Sequence, residues 1–136
     1  MLLEFKTKNY KSFVEEASFS MVAAPKQKGL DYSLMKTKIK GKEIKGLSSS
    51  VIYGPNAAGK TNIIGAMDVL RAIVLRGNIR NSEEKSSPNP AAAALELIPN
   101  NNEMESKPVC FEIEFYEEDG EDHKFKIHYE LEVDLG

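Results

Sequence analysis

The sequence contains one cysteine, Cys110, and no tryptophan among its 136 residues. A single cysteine excludes an internal disulfide and fits a protein of a reducing cytoplasm. No apolar run approaches the roughly 20 residues that a membrane-spanning helix needs. The first residues also lack the basic and apolar regions of a signal peptide. We therefore expect one cytoplasmic domain with a hydrophobic core and no membrane contact.

Charge is distributed unevenly along the chain. The net charge is −3, yet the basic residues are concentrated in residues 1–82 and the acidic ones in residues 83–136. The acidic half is a poor candidate for contact with nucleic acid. In the basic half, a hairpin is predicted from residues 34–40 and 43–46 around Gly41-Lys42.

Lysines at period two are expected to share one face of that hairpin, and these are Lys36, Lys38, Lys40 and Lys42. A solvated, aggregation-resistant edge strand is the usual meaning of such a row. Contact with DNA phosphates is the alternative.

Residues 54–61 read Gly-Pro-Asn-Ala-Ala-Gly-Lys-Thr and fit the pattern G-x-x-x-x-G-K-[ST] without a mismatch. A β-prone run at residues 49–53 precedes them, and residues 60–76 follow with apolar side chains at helical spacing. Strand, glycine-containing loop and helix in this order are the context of a phosphate-binding loop, or Walker A motif.

The chemistry of a triphosphate explains these residue types. Gly54 and Gly59 let the main chain approach the phosphates, and the start of the helix adds unsatisfied N–H groups and a positive dipole end. Lys60 can reach the β- and γ-phosphates as the expected catalytic residue, while the Thr61 hydroxyl can ligate Mg²⁺. The predicted ATP-binding residues are Gly54, Pro55, Asn56, Ala57, Ala58, Gly59, Lys60, Thr61 and Asn62.

Alternating apolar residues predict strands elsewhere, at residues 2–8, 14–22, 95–98, 108–118 and 122–135. Asp119-Gly120 is predicted as the turn of the last hairpin. The predicted helix ends at Gly77, and its expected buried residues are Ile63, Ile64, Met67, Leu70, Ile73 and Val74. We expect His123 and His128 to be exposed on opposite faces, with no metal between them, and the charged residues beside them to pair across strands.

The segment Asn9-Tyr10-Lys11-Ser12-Phe13 resembles the N-F-[KR]-S-F stretch that opens the ATPase heads of SMC-like and RecF-like proteins. In residues 54–62, Ala57 stands where those heads usually carry glycine. The resulting form, G-x-N-A-[AS]-G-K-[ST]-N, is similar to AAA-family ATPases of the OLD-like and abortive-infection branch. Tyr10 and Phe13 are expected in the core rather than stacked on adenine.

The resemblance implies an α/β (α+β) P-loop NTPase of the ABC-head type, here its N-terminal portion, with an antiparallel β region beside the P-loop strand and helix. It implies one ATP-binding domain over residues 1–136, made of a β-rich leader (1–48), the P-loop unit (49–77), a mobile loop (78–94) and a β-hairpin region (95–136). It also places Lys11 and Ser12 near the nucleotide, although a solvent-facing Lys11 remains open. The implied partners are ATP, Mg²⁺ and a second head in a homodimer, with a role in phage defence or DNA maintenance.

Two parts of such an ATPase are absent from the sequence. No apolar run ends in Asp-Glu, the pair that would hold Mg²⁺ and orient water. Val133-Asp134 does not qualify, because it lies in a polar, alternating segment. No L-S-x-G signature loop occurs either. We therefore expect the N-terminal part of a longer protein, nearly inactive as an ATPase alone. The alternatives are a nucleic-acid-binding module that uses the loop as a switch, and a P-loop kinase. Some fifty residues of β structure before the loop argue against the kinase.

Overall fold

The computed structural model describes residues 1–25, 29, 31–55, 59–79, 95, 97–100 and 107–134. Within these residues the α-helix is α1 (Lys60–Arg76), and a short 3₁₀ helix spans Asp31–Ser33. The strands in the described residues are β1 (Leu2–Lys8), β2 (Ala17–Ser20), β3 (Leu34–Ile39), β4 (Lys42–Leu47), β5 (Val109–Glu118) and β6 (Lys124–Val133). The fold is α+β with antiparallel sheets, which is consistent with a fragment of a P-loop NTPase.

A four-stranded antiparallel sheet in the order β2-β1-β5-β6 forms the centre of the molecule. Strand β5 pairs with β1 on one side and with β6 on the other, so residues distant in sequence lie beside the N-terminus. Along β1, Leu3, Phe5 and Thr7 are buried and their neighbours are less so, as the alternation predicts. The strand predicted at residues 14–22 forms only over Ala17–Ser20, as β2, which pairs antiparallel with β1.

Helix α1 packs on the buried face of this sheet and has the bounds predicted from its periodicity. Its predicted buried face is only partly correct. Ile64 and Val74 are 54% and 56% exposed, whereas Ala66 and Val69 are buried. The buried stripe is centred near Ala66, so that Ile64 lies on the opposite side of the helix and Val74 at the margin of the stripe.

The helix ends as predicted at Gly77. This glycine has a φ of 70°, and its N–H donates to the Ile73 carbonyl at 2.8 Å. Within the described residues, no helix is both long and apolar enough to cross a membrane. Residues 80–94 of the predicted mobile loop lie outside the described residues.

Two predicted strands are not formed. Residues 49–53 have no strand assignment, and Val51 and Tyr53 are 82% and 90% exposed. Leu95, Leu97 and Ile98 are likewise outside any strand. A β-prone sequence needs a neighbouring strand for its backbone hydrogen bonds, and in the described part of the chain none pairs with residues 49–53.

The β3–β4 hairpin turns at Lys40-Gly41, where both residues have positive φ, rather than around Gly41-Lys42. Lys42 therefore lies opposite Ile39, on the face away from Lys36 and Lys38. The prediction that all four lysines share a face is wrong, because a period of two does not continue across a two-residue reversal. On the face of Lys36 and Lys38, Lys36 lies opposite Lys45 and Lys38 lies opposite Glu43.

Strands β5 and β6 form the predicted long hairpin. Its connection is longer than an Asp-Gly turn, since Glu118 pairs with Lys124 and residues 119–123 lie between them. The Asp119 carboxylate accepts hydrogen bonds from the N–H groups of Glu121 and His123, each at 2.9 Å. These backbone donors hold the pKa of Asp119 below its usual value. The residue with positive φ is Asp122, at 63°, instead of Gly120.

Candidate functional site

The N-terminus of α1 is set by Gly59. This residue has a left-handed φ of 85°, and its carbonyl accepts the N–H groups of Asn62 (3.0 Å) and Ile63 (3.2 Å). The first N–H groups of a helix have no acceptor within the helix, and they lie at the positive end of its dipole. Such an end is suited to an anion.

Lys60 connects the two ends of the glycine-containing motif. Its ammonium donates hydrogen bonds to the carbonyls of Gly54 and Pro55, the latter at 3.2 Å. Thr61 follows with an exposed side chain at the same end of the helix. The other predicted ligands, Asn56, Ala57 and Ala58, lie outside the described residues.

The turn formed by residues 9–13 packs directly against this helix start. The Asn62 amide nitrogen donates to the Ser12 hydroxyl oxygen at 2.7 Å. A Cβ atom on Gly59 would lie 3.1 Å from two ring carbons of Phe13 and 3.2 Å from the Ser12 Oγ. The structure thus brings Ser12 together with Gly59 and with Asn62, which lies 50 positions away in the chain. Nucleotide binding by these residues stays a prediction.

Buried amides hold that turn in place. Asn9 is 1% exposed, and its side-chain nitrogen donates to the Lys107 and Pro108 carbonyls at 2.9 and 3.3 Å. Its oxygen accepts the N–H of Asn100 at 3.1 Å. The Asn100 amide in turn donates to the Lys11 carbonyl at 2.6 Å. Asn100 was not predicted, because nothing in the local pattern separates it from its neighbours at positions 101 and 102.

Tyr10 belongs to the core, as predicted. It is fully buried, and its ring centre lies 6.0 Å from that of Phe111. Phe13 is partly buried and packs against the same core. Lys11 has a positive φ of 47°, and its ammonium lies 5.6 Å from the centre of the Tyr10 ring. The turn therefore fixes the Lys11 backbone at the edge of the site.

A second group of polar residues lies on the outer face of the sheet, on β5 and β6. His128 Nδ1 lies 3.0 Å from a Glu114 oxygen, and Nε2 lies 2.8 Å from Glu130 and 3.8 Å from Glu112. The hydrogen bond with Glu130 and then that with Glu114 raise the pKa of His128, and the bond with His128 lowers the pKa of Glu114.

These outer-face groups form ion pairs across the strands, as predicted, including Lys126 with Glu114 at 3.6 Å. Glu112, His128 and Glu130 could together offer ligand atoms to a metal ion, since those atoms lie within 4.8 Å of one another. His128 and Glu130 are exposed and Glu112 is half-buried, however, and the imidazole already has a carboxylate at each nitrogen. We therefore describe it as an ion-pair network.

A family model described as "AAA domain, putative AbiEii toxin, Type IV TA system" matches residues 49–134. The match covers more than half of the chain, from the segment before the loop to the residue after β6. Comparisons with curated proteins and with solved structures found no match. Strand β1 and the 9–13 turn precede the matched range, although both complete the core around α1.

Proposed function

Because the chain belongs to this family of AAA domains, we propose that residues 54–62 bind ATP together with Mg²⁺ as a Walker A loop. Membership of the family supports a nucleotide-binding, P-loop ATPase-like function. The residues at the start of α1 fit an anionic ligand, because Lys60 supplies a positive charge and the helix end supplies N–H groups.

Each described residue has a distinct task in this proposal. Lys60 exchanges its hydrogen bonds with the carbonyls of Gly54 and Pro55 for charge-assisted bonds to the β- and γ-phosphates, which are stronger. The Thr61 hydroxyl would ligate Mg²⁺. Bound Mg²⁺ supplies positive charge that offsets the charge of the phosphates.

Ser12 is the residue that links the 9–13 turn to the nucleotide. Its oxygen accepts a hydrogen bond from Asn62, so its own hydroxyl hydrogen can be donated to a phosphate or a ribose oxygen. Lys11, next to it on the same turn, adds a second ammonium near the phosphates. The 9–13 turn therefore acts as a second wall of the site.

We further propose that this segment is the N-terminal part of a longer cytoplasmic ATPase of the ABC-head type, in the OLD-like branch. In that protein two heads would enclose ATP between them, and hydrolysis would separate them. Its biological role would be phage defence or DNA maintenance. Since the sequence lacks an Asp-Glu strand end and a signature loop, this chain alone should bind ATP and hydrolyse it very slowly.

The observation that carries the proposal is the meeting of three segments at one helix end. Lys60 contacts the start of the motif, Gly59 begins the helix in a left-handed conformation, and Ser12 bonds to Asn62. A P-loop would hold phosphate at this end of the helix.

Titration of the chain with a fluorescent ATP analogue, in the presence of Mg²⁺, tests the proposal. We expect saturable binding that competes with ATP, and about a tenfold or greater loss of affinity in Lys60→Ala, because a charged hydrogen bond contributes roughly 1.5–3 kcal/mol. Lys38→Ala is the matched control, since Lys38 lies on the β3–β4 hairpin, and it should bind normally. Equal affinity in Lys60→Ala and in the unmodified chain would contradict the role given to Lys60.

A further inference from the structure

The tip of the 9–13 turn consists of Lys11 and Ser12. The Tyr10 N–H donates to the Phe13 carbonyl at 3.0 Å, and the Phe13 N–H donates to the Tyr10 carbonyl at 2.8 Å. These two bonds close the base of the turn, and the aromatic side chains of the base pack in the core. Ser12, in contrast, is exposed and Lys11 is half-buried. Apolar packing therefore fixes the base of the turn more firmly than its tip.

Residues 98–100 hold the tip through the two peptide groups of Lys11. The Lys11 N–H donates to the Ile98 carbonyl at 2.9 Å. The Lys11 carbonyl accepts a hydrogen bond from the Asn100 side-chain amide at 2.6 Å. This carbonyl belongs to the planar peptide group that joins Lys11 to Ser12. The bond with Asn100 therefore sets the direction in which the backbone enters Ser12.

The backbone of Lys11 needs such support. Its φ of 47° is a left-handed value, which is uncommon for residues other than glycine. A conformation of this kind persists where the surrounding contacts outweigh its strain. Ile98 and Asn100 supply these contacts on the two sides of the Lys11 Cα. Without the Asn100 bond we expect the Lys11 backbone to relax and Ser12 to move with it.

Asn100 is itself held in one orientation. It is buried, and its backbone N–H donates to the Asn9 side-chain oxygen at 3.1 Å. The Asn9 side-chain nitrogen donates to the carbonyls of Lys107 and Pro108, which directly precede β5. A series of hydrogen bonds through two buried amides therefore connects the start of β5 in the central sheet with the Lys11 carbonyl at the tip of the turn.

We propose that Asn100 is a positioning residue for the nucleotide: it holds the Lys11–Ser12 peptide so that the Ser12 hydroxyl faces a phosphate or ribose oxygen of ATP. This role rests on the nucleotide site proposed above, and Asn100 acts through Ser12 without touching the ligand. Asn62, on the first turn of α1, donates to the same Ser12 oxygen at 2.7 Å. Because hydrogen bonds weaken steeply when misaligned, a small rotation of the peptide would cost Ser12 its bond to the nucleotide.

The hydrogen bond between Asn100 and Lys11 also contributes to the stability of the fold. If that were its whole role, replacing the amide would lower the free energy of unfolding but leave the affinity of the folded chain for ATP unchanged. A positioning amide lowers both quantities, and its effect on affinity disappears once the Ser12 hydroxyl is absent. The affinities of single and double variants therefore separate the two roles.

Titration with the fluorescent ATP analogue and Mg²⁺ tests the role, in variants that circular dichroism shows to be folded. Asn100→Leu replaces the amide by an uncharged group of similar shape, and we expect about a fivefold loss of affinity, as for one neutral hydrogen bond. Ser12→Ala should lose about as much, and Asn100→Leu/Ser12→Ala no more than about twofold further. Leu3→Ala is the control for destabilisation, since Leu3 is buried at the other end of β1, and its affinity should be normal.

An amide NMR spectrum of the nucleotide-free chain gives a second readout, because the side-chain NH₂ signal of Asn62 reports its bond with the Ser12 oxygen. We expect this signal to move in Asn100→Leu, and in the smaller Asn100→Ala if Asn100→Leu does not fold, toward its position in Ser12→Ala. It should stay in place in Leu3→Ala. An unmoved Asn62 signal, or a double variant with the full summed loss of affinity, would overturn the role of Asn100. Failure of the unmodified chain to bind the analogue would instead refute the nucleotide site itself.

Discussion

The four-stranded sheet and residues 49–55 begin from similar sequences but reach different structures. Both contain β-prone residues, yet Phe5 of β1 is fully buried between two bonded neighbours, while Tyr53 is 90% exposed and lies in no strand. The difference lies in the partners, because strand preference reflects packing against cross-strand neighbours more than an intrinsic backbone tendency. Residues 49–55 hold Gly54 and Pro55 beside Lys60 without a sheet of their own.

The largest difference between the two regions should appear when one aromatic ring is removed from each, Phe5 from the sheet and Tyr53 from residues 49–55. Phe5→Ala leaves a cavity in the core and should lower the free energy of unfolding by about 3–5 kcal/mol. Tyr53→Ala, at an exposed position, should change it by no more than about 0.5 kcal/mol. Urea unfolding followed by circular dichroism measures both. A large loss in Tyr53→Ala would show that residues 49–55 are packed and would break the contrast.

A smaller effect on stability should distinguish alanine substitutions at the two ends of α1. Gly59→Ala and Gly77→Ala both force alanine into a left-handed conformation, which costs about 1–2 kcal/mol. At Gly77 the new Cβ has nothing within 4 Å, whereas at Gly59 it lies 3.1 Å from two Phe13 carbons. We expect Gly59→Ala to be roughly 1 kcal/mol more destabilising in urea unfolding, because the Phe13 ring must shift. Equal costs would mean that the 9–13 turn is not tightly packed on the helix start.

Local pattern was sufficient to predict α1 and the strands β1, β5 and β6. Their periodicities are long, and Gly77 provides a clear end to the helix. The predicted buried face of α1 included Ile64 and missed Ala66, because a small residue in the centre of a contact carries little hydrophobic signal. Only the packed structure shows which flank of the helix meets the sheet.

The candidate site was only partly predictable for a similar reason. The motif identifies Lys60 and Thr61 from local spacing, and the resemblance names Ser12. Asn100 fixes Lys11 from a distant part of the chain, and no local pattern encodes that contact. The strand predicted at 49–53 failed because a strand depends on a neighbour that propensity cannot supply.

The smallest expected effect is a pH dependence of the free energy of unfolding, which should come from the sheet and not from residues 49–55. The outer face of β5 and β6 is joined by His128 and its carboxylates, whereas residues 49–55 have no comparable network among the described contacts. A raised pKa of His128 means that protonation favours the folded state. The stabilisation is complete below the unfolded pKa of about 6.5 and is lost as pH rises through the raised folded value.

Glu114 sets the acidic limit of the pH range in which the His128 network stabilises the folded state, because its pKa is lowered by the hydrogen bond with His128. Its contribution is present above the unfolded carboxyl pKa of about 4.3 and is lost as pH falls through the lowered folded value. Urea unfolding from about pH 4 to about pH 9 should therefore show His128→Gln losing most stability, relative to the unmodified chain, near pH 5–6. Glu130→Gln removes the first cause of the His128 shift and should reduce that pH dependence without abolishing it, since Glu114 remains. A His128→Gln difference that stays constant across the range would show that the network does not couple protonation to folding.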